Sequence, residues 1–361
     1  MRIIQIIDSL NAGGAERMAV NYANALVGHV SFSGIIVTRK EGLLLGQIND
    51  KVAYLFLNKK GSFDIKALFR LKAFVVKNNI DLVHAHSTSF FTAFLLKIIC
   101  PSLKMIWHDH YGDSEFLNKR PSWMLKTTLP FFSGIISVNR ILKNWAIDKM
   151  QFKNTVYLPN FTTDDNSTPL IETVLKGIEG KRIVCLANLR IQKNHFLLLE
   201  VAKMIKMSYP KWTFHLVGKD SDDAYSKELK RNILEMELKD TVFIYGEKSD
   251  INAILSQSTI GVLTSNSEGL PVALLEYGLH QKAVVVTNVG EISSIIIEGT
   301  NGFIVAVDDV IIFYKSLFKL IEDESLRLKF GNSLCKTINE AYSENVVIGQ
   351  YINWLKSTIV K

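Results

Sequence analysis

Two glutamates whose spacing suits a shared ligand stand in the second half of the chain. Glu268 and Glu276 have seven residues between them, within the stretch Ser265 to Gly278. The apolar run Ile260 to Thr264 predicts a buried parallel strand, and a helix is predicted to begin near Leu270. The first turn of a helix offers unpaired N–H groups and a partial positive charge, so this arrangement suits a phosphate. A nucleotide-sugar is long enough to reach both carboxylates.

Two cationic side chains occur in a similar setting. Arg190 and Lys193 lie in the segment Leu186 to Asn194, which leads from a predicted strand to a predicted helix. A guanidinium and an ammonium there could neutralise a diphosphate. Such charges stabilise the leaving group, because negative charge grows on the β-phosphate as the glycosidic bond of a donor breaks. By residue type alone, two exposed basic residues would be unremarkable.

A pair of glycines, Gly13 and Gly14, follows the first predicted strand. Glycines at a helix N-terminus let a phosphate or sugar approach the backbone. The alternative is a tight turn that only requires a positive φ at one of them. The stretch is not a G-x-G-x-x-G fingerprint, and no acidic residue ends the second strand. Both features disfavour a dinucleotide-dependent dehydrogenase.

Titratable residues close the fifth predicted strand, in the segment Trp107 to Gly112. His108, Asp109 and His110 are expected to face the ligand crevice, since the carboxyl ends of parallel strands line it. The alternative for each histidine is a satisfied structural role. A metal site is disfavoured, because no third ligand is apparent nearby.

The elements that would position these residues alternate between strand and helix, which predicts an α/β protein with parallel sheets covered on both faces. The polar segment 162–169 is the predicted linker between two doubly wound domains. The predicted strands are 2–8, 31–38, 52–57, 81–86, 104–108, 134–139 and 155–159, then 182–187, 212–217, 241–246, 259–264, 283–287 and 302–305.

Glu268 and Glu276, with Ser-Glu-Gly-Leu-Pro around the first of them, resemble the E-x7-E signature of the retaining glycosyltransferases of the GT-B fold, the family-four group. The Gly-Gly-Ala-Glu-Arg run at Gly13 is similar to the start of many such enzymes. The resemblance implies two tandem Rossmann-like domains facing across a cleft. An acceptor domain at 1–165 would be completed by the C-terminal helix at 343–361, and a nucleotide-sugar donor domain would span 170–342.

The resemblance also implies roles for single residues. Arg190 and Lys193 would bind the diphosphate, Glu276 the ribose, and Glu268 the sugar hydroxyls. His108 would contact the sugar from the opposite domain and join Glu268, Arg190 and Lys193 in catalysis. Further donor contacts are expected at Gly13, Gly14, Gly269 and Leu270, and acceptor contacts at Asp109 and His110. Front-face attack, with the leaving phosphate as base, needs no metal and no other cofactor.

Three positions depart from the family pattern. Asn194 replaces the usual glycine after the lysine, which a residue tolerant of the left-handed conformation can absorb. Tyr277 stands where the family has a small residue, and Ser293-Ser294 where it often has Pro-Glu. The last two departures concern the contacts to the base and the sugar.

The implied function is transfer of a sugar from a nucleoside diphosphate sugar, with UDP as the expected nucleotide, to a glycan or lipid-linked acceptor. The anomeric configuration would be retained, and the setting would be cell-surface polysaccharide synthesis. A nucleotide-sugar epimerase and a glycosyl phosphorylase of the same fold are alternatives. A basic, non-catalytic nucleic-acid-binding protein is a third, but it lacks a recognised motif, so no nucleic acid partner is expected.

A rival signal is the D-x-D form of Asp220 and Asp222, by which metal-dependent glycosyltransferases of the other major fold hold a divalent ion. The two carboxylates lie in a polar loop with a third carboxylate and a lysine nearby. Such a loop is stable in water without a ligand, and a solvated loop is therefore the favoured interpretation.

The net charge of +7 is unevenly distributed over the 361 residues. Residues 1–160 carry 20 Lys and Arg against 10 Asp and Glu, whereas the remainder carries 22 against 25. Basic and aromatic residues mix at 68–74 and 119–126, which predicts contact with an anionic membrane surface. A solvated basic face is the alternative. Three widely spaced cysteines and no apolar run of about 20 residues predict a cytoplasmic protein, peripheral on the inner face of the plasma membrane.

Overall fold

The computed structural model of the protein describes residues 1–163 and 172–359. These residues form two compact units, one made of 1–163 with 344–359 and the other of 172–343. The predicted linker, apart from its first two positions, and the predicted domain limits at 165 and 170 lie outside the described residues.

Each unit is built on one parallel sheet. The first sheet has the order β3-β2-β1-β4-β5-β6-β7 and the second the order β10-β9-β8-β11-β12-β13. The predicted α/β class and the predicted strands are confirmed. The strands are β1 (Arg2–Ser9), β2 (Phe32–Lys40), β3 (Ala53–Phe56), β4 (Leu82–His86), β5 (Lys104–Asp109), β6 (Gly134–Ser137), β7 (Thr155–Tyr157), β8 (Arg182–Leu186), β9 (Thr213–Val217), β10 (Val242–Gly246), β11 (Ile260–Leu263), β12 (Ala283–Thr287) and β13 (Phe303–Val305).

Helices cover both sheets. They are α1 (Gly14–Ala25), α2 (Ile65–Lys77), α3 (Phe90–Ile99), α4 (Trp123–Thr128) and α5 (Arg140–Asp148) in the first unit, and α6 (His195–Ser208), α7 (Ala224–Glu235), α8 (Ile251–Ser256), α9 (Val272–Leu279), α10 (Ile292–Ile295), α11 (Val310–Glu322) and α12 (Glu324–Ala341) in the second. The chain then enters the first unit with α13 (Glu344–Trp354) and the π-helical segment Leu355–Ile359. Nowhere in 1–163 or 172–359 is a helix long and apolar enough to cross a bilayer.

The helix ends follow from capping chemistry. The Asp64 side chain accepts a hydrogen bond from Ala67 N at 3.0 Å and begins α2, and Asn139 caps α5 in the same way through Leu142 N at 2.7 Å. An N-cap oxygen satisfies one of the N–H groups that a helix leaves without an internal partner. In a parallel sheet, the loops that follow the carboxyl ends of the strands open at the same edge, and the candidate site residues of each unit lie in such loops.

The two faces of the first sheet differ in chemistry. Val83 and Ala85 of β4 point into an apolar core with β1, β5 and the helices on that face. His84 and His86 alternate with them and therefore point to the opposite face, where Tyr22 of α1 packs. This polar layer lies beneath the edge at which β4 and β5 end.

Candidate active site

The loop between β11 and α9 carries the first predicted glutamate. The helix begins at Val272 rather than near Leu270, because Pro271 is extended, with φ −69° and ψ 119°. Leu270 is consequently a buried loop residue. Gly269 and Glu268 precede it, so the loop approaches the helix N-terminus as the sequence predicts.

Lys193 and Glu268, which are 75 positions apart in sequence, meet directly. The Lys193 ammonium donates to Glu268 Oε1 at 2.6 Å, and the Ser265 hydroxyl donates to the same oxygen at 2.6 Å. Glu268 is 5% exposed. The structure thus brings together a cation and a carboxylate that the sequence assigns to neighbouring parts of one ligand. Ser265 was missed as a partner, although its position three residues before Glu268 would have been a signal.

The turn that carries the two predicted cations is joined to this loop. Asn194 has φ +46° and ψ +51°, so the prediction that it absorbs the left-handed conformation is confirmed. Its side chain donates to Asn266 Oδ1 at 3.0 Å and to Asp308 Oδ1 at 2.8 Å. Arg190 begins the 3₁₀ turn Ile191–Lys193 and is exposed. Arg190 is therefore accessible to an anion at the same loop edge as Lys193.

A second loop supports the backbone of Glu268 and Gly269 from the side. Gly290 has φ +57°, and a Cβ added there would lie 2.3 Å from Glu268 O. The Glu291 N–H donates to Gly269 O at 3.0 Å. Ser294, one of the departures from the family pattern, is exposed and donates to Glu291 O at 2.7 Å, which stabilises the same segment.

We expect Gly290→Ala to weaken nucleotide binding at least tenfold and to lower the unfolding temperature, since the methyl group displaces the Glu268 carbonyl and alanine is strained at positive φ. The matched control is Gly299→Ala. Gly299 has φ +69°, but an added Cβ meets no atom within 4 Å. Both variants carry the backbone strain, and only the first disturbs the loop. Equal nucleotide affinity in the two, measured by calorimetry, would contradict the assigned role of Gly290.

Tyr277, which stands where the family has a small residue, is fully buried. Its ring is buried in the core against Gly261, where an added Cβ would lie 2.7 Å from ring carbons. The hydroxyl accepts from Leu186 N at 2.7 Å and lies 3.2 Å from the carbonyl oxygens of Val184 and Val262. Burial raises the pKa of this phenol well above its usual range. The departure from a small residue is thus accommodated by a glycine on β11, and the neighbouring Glu276 remains partly exposed.

The glycine pair of the first unit does not form a turn with positive φ. Gly13 is extended, with φ −138° and ψ 160°, and Gly14 begins α1. A Cβ on Gly13 would lie 2.3 Å from the Glu16 carboxylate, whose other oxygen accepts from the Ser9 hydroxyl at 3.1 Å. The missing side chain therefore leaves room for Glu16 at the end of β1.

Four histidines form a stacked cluster where β4 and β5 end. His84 and His86 stack at 4.3 Å between ring centroids, and His108 and His110 lie 3.9 Å apart. Ligand nitrogens of His84, His86 and His108 lie within 4.8 Å of one another. The argument that no third metal ligand lies nearby was therefore wrong, and these are residues that could hold a transition-metal ion. The signal in the sequence was His-x-His at the ends of two adjacent parallel strands.

Burial favours the neutral form of the cluster, and six of its eight ring nitrogens have hydrogen-bond partners. Burial holds the pKa of His84, His86 and His108 well below the usual range, and it lowers the pKa of His110 to about 3. His84 Nε2 lies 3.2 Å from His108 Nδ1, and His86 Nδ1 lies 3.0 Å from His110 Nε2. A neutral imidazole has one donor and one acceptor, so these contacts couple the tautomer of His84 to that of His108 and the tautomer of His86 to that of His110.

His108 is 0% exposed, and His110 is the ring of the cluster that reaches the surface. The sequence assigned the sugar contact to His108, but the structure encloses that side chain beneath Tyr22. Its Nε2 has no hydrogen-bond partner within the described part of the chain. The accessible position at this strand end belongs to His110.

Asp109 is also buried. It is 1% exposed, and Arg120 binds both carboxylate oxygens at 2.7 and 2.8 Å. The guanidinium stacks on Tyr111 and Trp145, 4.3 and 4.5 Å from the ring centroids. A bidentate pair under aromatic rings fixes the segment that follows His110. The structure therefore gives Asp109 a positioning contact instead of an open face toward an acceptor.

The D-x-D carboxylates are paired with lysines of α7. Lys230 Nζ lies 2.6 Å from Asp220, and Lys227 Nζ lies 3.5 Å from Asp222. Asp222 N donates to Asp220 Oδ1 at 2.8 Å, which makes a local turn. These contacts are those of a charged surface loop and support the solvated-loop interpretation.

Comparison with known proteins agrees with this architecture. The family described as glycosyltransferase family 4 matches residues 12–165, and the family described as glycosyl transferases group 1 matches residues 171–336. An uncharacterized glycosyltransferase of Haemophilus influenzae is 23% identical over 94% of this chain and 96% of its own length. The Escherichia coli UDP-Gal:α-D-GlcNAc-diphosphoundecaprenol α-1,3-galactosyltransferase is 26% identical over 90% of this chain and 89% of its own.

A solved structure shares the fold. Anabaena HepE, determined in complex with UDP and glucose, superposes with a TM-score of 0.78 over 99% of this chain and 100% of its own, at 18% identity. The two family matches together span most of the sequence, one on each compact unit. The chain belongs to the family-four glycosyltransferases of the GT-B fold.

Proposed function

We propose that the protein transfers a sugar from a nucleoside diphosphate sugar, with UDP as the nucleotide, to a lipid-linked or glycan acceptor with retention of configuration. The observation that carries the proposal is the contact of Lys193 with Glu268 in the loop before the N-terminus of α9. The exposed Arg190 lies in the same turn as Lys193. The Lys193 ammonium and the exposed Arg190 guanidinium provide positive charge for a diphosphate, while the Glu268 carboxylate accepts hydrogen bonds from hydroxyl groups.

The paired state of Glu268 supports front-face attack. A carboxylate oxygen that already accepts hydrogen bonds from both Lys193 and Ser265 is a weak nucleophile. In the proposed step, the bond between the anomeric carbon and the phosphate oxygen breaks, and the acceptor oxygen bonds that carbon on the same face. The acceptor proton passes to the departing phosphate oxygen. Lys193 and Arg190 stabilise the charge that develops on the diphosphate.

The relatives support the nucleotide and the acceptor class. The Escherichia coli relative is named for a UDP-sugar and a diphosphoundecaprenol-linked acceptor, and HepE was solved with UDP. A Staphylococcus aureus relative is named as a capsular polysaccharide biosynthesis glycosyltransferase. We therefore place the proposed reaction in cell-surface polysaccharide synthesis.

The test is thermal stabilisation by a panel of nucleoside diphosphates and their sugars, followed by transfer to a synthetic polyprenyl-diphosphate sugar. We expect stabilisation by UDP and one UDP-sugar, and a product whose anomeric proton coupling matches that of the donor. An inverted coupling would overturn retention. Release of free monosaccharide would favour an epimerase, and cleavage that depends on phosphate would favour a phosphorylase.

We expect the transferase to keep its activity in excess EDTA, since cationic side chains replace a metal at the diphosphate. If activity were lost in EDTA, the metal could be bound at one of two sites. Asp220→Asn with Asp222→Asn removes the carboxylates of the surface loop, and His84→Gln removes one histidine of the buried cluster. Activity that disappears on chelation and returns with manganese would contradict the metal-free mechanism, and the variants would show which site was responsible.

A membrane surface for the first unit is part of the proposal. Trp123 is 69% exposed, whereas the adjacent Met124 and Leu125 pack into the core, so only one of the three apolar residues there is available. Phe69 of α2 is also exposed, beside the exposed Arg70. Aromatic side chains next to basic ones bind anionic lipid interfaces.

We expect the protein to sediment with anionic liposomes at low salt and to be released as salt rises. Lys119→Glu with Lys126→Glu should reduce binding about tenfold or more, at about 1 kcal/mol for each basic residue near the surface. Arg120 is left unchanged, because its charge is bound to Asp109. The control with the same charge change is Lys203→Glu with Lys211→Glu, two exposed positions of the second unit. Equal binding of the two double variants would refute this surface.

A further inference from the structure

A buried lysine lies at the carboxyl edge of the first sheet. Lys59 follows β3 and is 8% exposed, and its ammonium donates to the Thr92 hydroxyl at 2.7 Å. An ammonium has three N–H donors, and within residues 1–163 and 172–359 Lys59 uses one of them and forms no ion pair. A buried charge without an ion pair is costly, because the water that it loses is not replaced. An anionic ligand would supply what Lys59 lacks.

The backbone on both sides of this ammonium is fixed. The Lys59 N–H donates to the Thr38 carbonyl of β2 at 2.7 Å, and Asn58, the residue before it, has φ +47°. Ser87 begins the 3₁₀ turn that leads to α3 and has φ +48°. Residues other than glycine adopt this left-handed conformation at a cost that surrounding contacts must offset. The two loops are thus held in place by the fold itself.

The ammonium lies where an open parallel sheet binds ligands. The strand order reverses between β1 and β4, and the crevice outside such a reversal is the usual ligand site. Asp8, near the end of β1, accepts from the hydroxyl of Thr88, in the turn after β4, at 2.6 Å. It also accepts from the Thr38 hydroxyl of β2 at 2.5 Å. Lys59 contacts Thr92 of α3, the helix after the same turn, so its charge lies beside the reversal.

Positive charge exceeds negative charge around Lys59. Three cations and two carboxylates lie in this region: Lys59, Arg39, Lys60, Asp8 and Asp64. The Arg39 side chain is 45% exposed, and its Nε lies 3.9 Å from Asp8. Asp64 accepts two backbone N–H groups as the N-cap of α2. Burial lowers the pKa of Lys59, and the Asp8 carboxylate offsets only part of that shift. A bound anion would provide the missing counter-charge.

We propose that Lys59 and Arg39 bind the diphosphate of a lipid-linked acceptor at the carboxyl edge of the first sheet. The inference rests on the proposed function, which transfers a sugar to an acceptor of this kind. The diphosphate of the donor is assigned to Lys193 and Arg190 in the second unit, so the cations of the first unit are left for a second anion. An ammonium and a guanidinium both form charge-assisted hydrogen bonds to phosphate oxygens.

The direct test is calorimetric titration of the full chain with geranyl diphosphate, a soluble prenyl diphosphate. Lys59→Met keeps an unbranched apolar side chain and removes the charge, and we expect it to raise the Kd about tenfold or more. Arg39→Gln should raise the Kd less, because an exposed charge is screened by water and salt. The control is Lys97→Met, at the far end of α3, where the half-buried ammonium donates to the carbonyls of Pro101 and Leu103. This control should bind geranyl diphosphate as the wild type does.

Thermal unfolding of the same variants separates a ligand site from a structural cation. Lys59→Met removes a buried charge that has no ion pair, so it should unfold at the wild-type temperature or above it. Lys97→Met should unfold at a lower temperature, because two hydrogen bonds are lost. A lower unfolding temperature of Lys59→Met with an unchanged Kd would overturn the proposal. If Lys59→Met does not fold, the exposed Arg39→Gln decides, and a wild-type Kd in that variant would overturn the proposal as well.

Three other outcomes would identify a different anion or a different site. A loss of affinity in Arg190→Ala, without one in Lys59→Met, would assign the prenyl diphosphate to the second unit. Inorganic phosphate that bound as tightly as geranyl diphosphate would indicate a site for free phosphate. Weaker sedimentation of Lys59→Met with anionic liposomes would indicate a site for lipid headgroups. Each of these results would overturn the assignment to the acceptor.

Transfer assays give the kinetic test. Lys59→Met should raise KM for a polyprenyl-diphosphate sugar about tenfold, with kcat and KM for the nucleotide-sugar within about twofold of wild type. Binding of geranyl diphosphate through Lys59 in a protein without transferase activity would refute the proposed function and leave the anion site standing. Transfer with an unchanged acceptor KM in Lys59→Met would support the proposed function and refute this site.

Discussion

Arg190→Ala and Lys193→Ala are each expected to lower kcat a hundredfold or more, because each removes positive charge from the diphosphate as it departs. Removing one preorganised donor from a developing anion costs a factor of about 10² to 10³ in other enzymes. Arg190 is exposed, and its side chain makes no hydrogen bond or ion pair within the described residues, so its loss should not change the unfolding temperature. KM for the donor should rise less than kcat falls, since the charge is greatest in the transition state.

Lys193 requires a second measurement, because it also neutralises Glu268 at 2.6 Å. Its removal takes the cation from a buried carboxylate, which keeps its hydrogen bond from the Ser265 hydroxyl, and this destabilises the loop. Thermal unfolding separates a loss of fold from a loss of catalysis. The control is Arg231→Ala, an exposed arginine of the same unit whose pairs lie on the surface of α7. Turnover near wild type in both site variants would refute the assignment of the diphosphate site.

The sequence predicts the sheets well because their strands are apolar runs separated by turn residues. Burial on both faces produces such runs in any parallel sheet, whatever the ligand. The start of α9 was predicted about two residues early, since Pro271 is compatible both with a first helical turn and with the extended conformation it adopts. The left-handed conformation of Asn194 was predictable because few residues tolerate it.

Contacts between distant segments were not predictable in this way. The meeting of Lys193 with Glu268 depends on the adjacency of β8 and β11, which are separated by two other strands in sequence. The histidine cluster depends on the register of β4 against β5, where His86 lies opposite His108. A pattern in one strand cannot supply that register. The enclosed positions of His108 and Asp109 follow from packing that a strand-end rule does not describe.

We expect Glu276→Ala to weaken nucleotide binding and Glu268→Gln to slow sugar transfer. Glu276 is partly exposed on α9, and its proposed contact is to the ribose hydroxyls, which are present in donor and free nucleotide alike. Its loss should lower the affinity for UDP and for the UDP-sugar equally, about tenfold or more. The kcat at saturating donor should stay close to that of the wild type. The surface glutamate Glu228, paired with Arg231 on α7, provides the control substitution to alanine.

Glu268→Gln should do the opposite, because the amide preserves shape and removes only the charge that now holds Lys193. The Lys193 ammonium is then no longer paired with the Glu268 carboxylate, so UDP should bind at least as tightly as it binds the wild type. The rate of transfer should fall about a hundredfold, because the sugar loses its charged hydrogen-bond acceptor. Calorimetry with UDP and single-turnover transfer measure the two effects separately. If Glu268→Gln and Glu276→Ala changed nucleotide affinity and kcat in the same proportion, the separate ribose and sugar roles would have to be abandoned, and the pairing of Lys193 with Glu268 would be a structural contact of the loop.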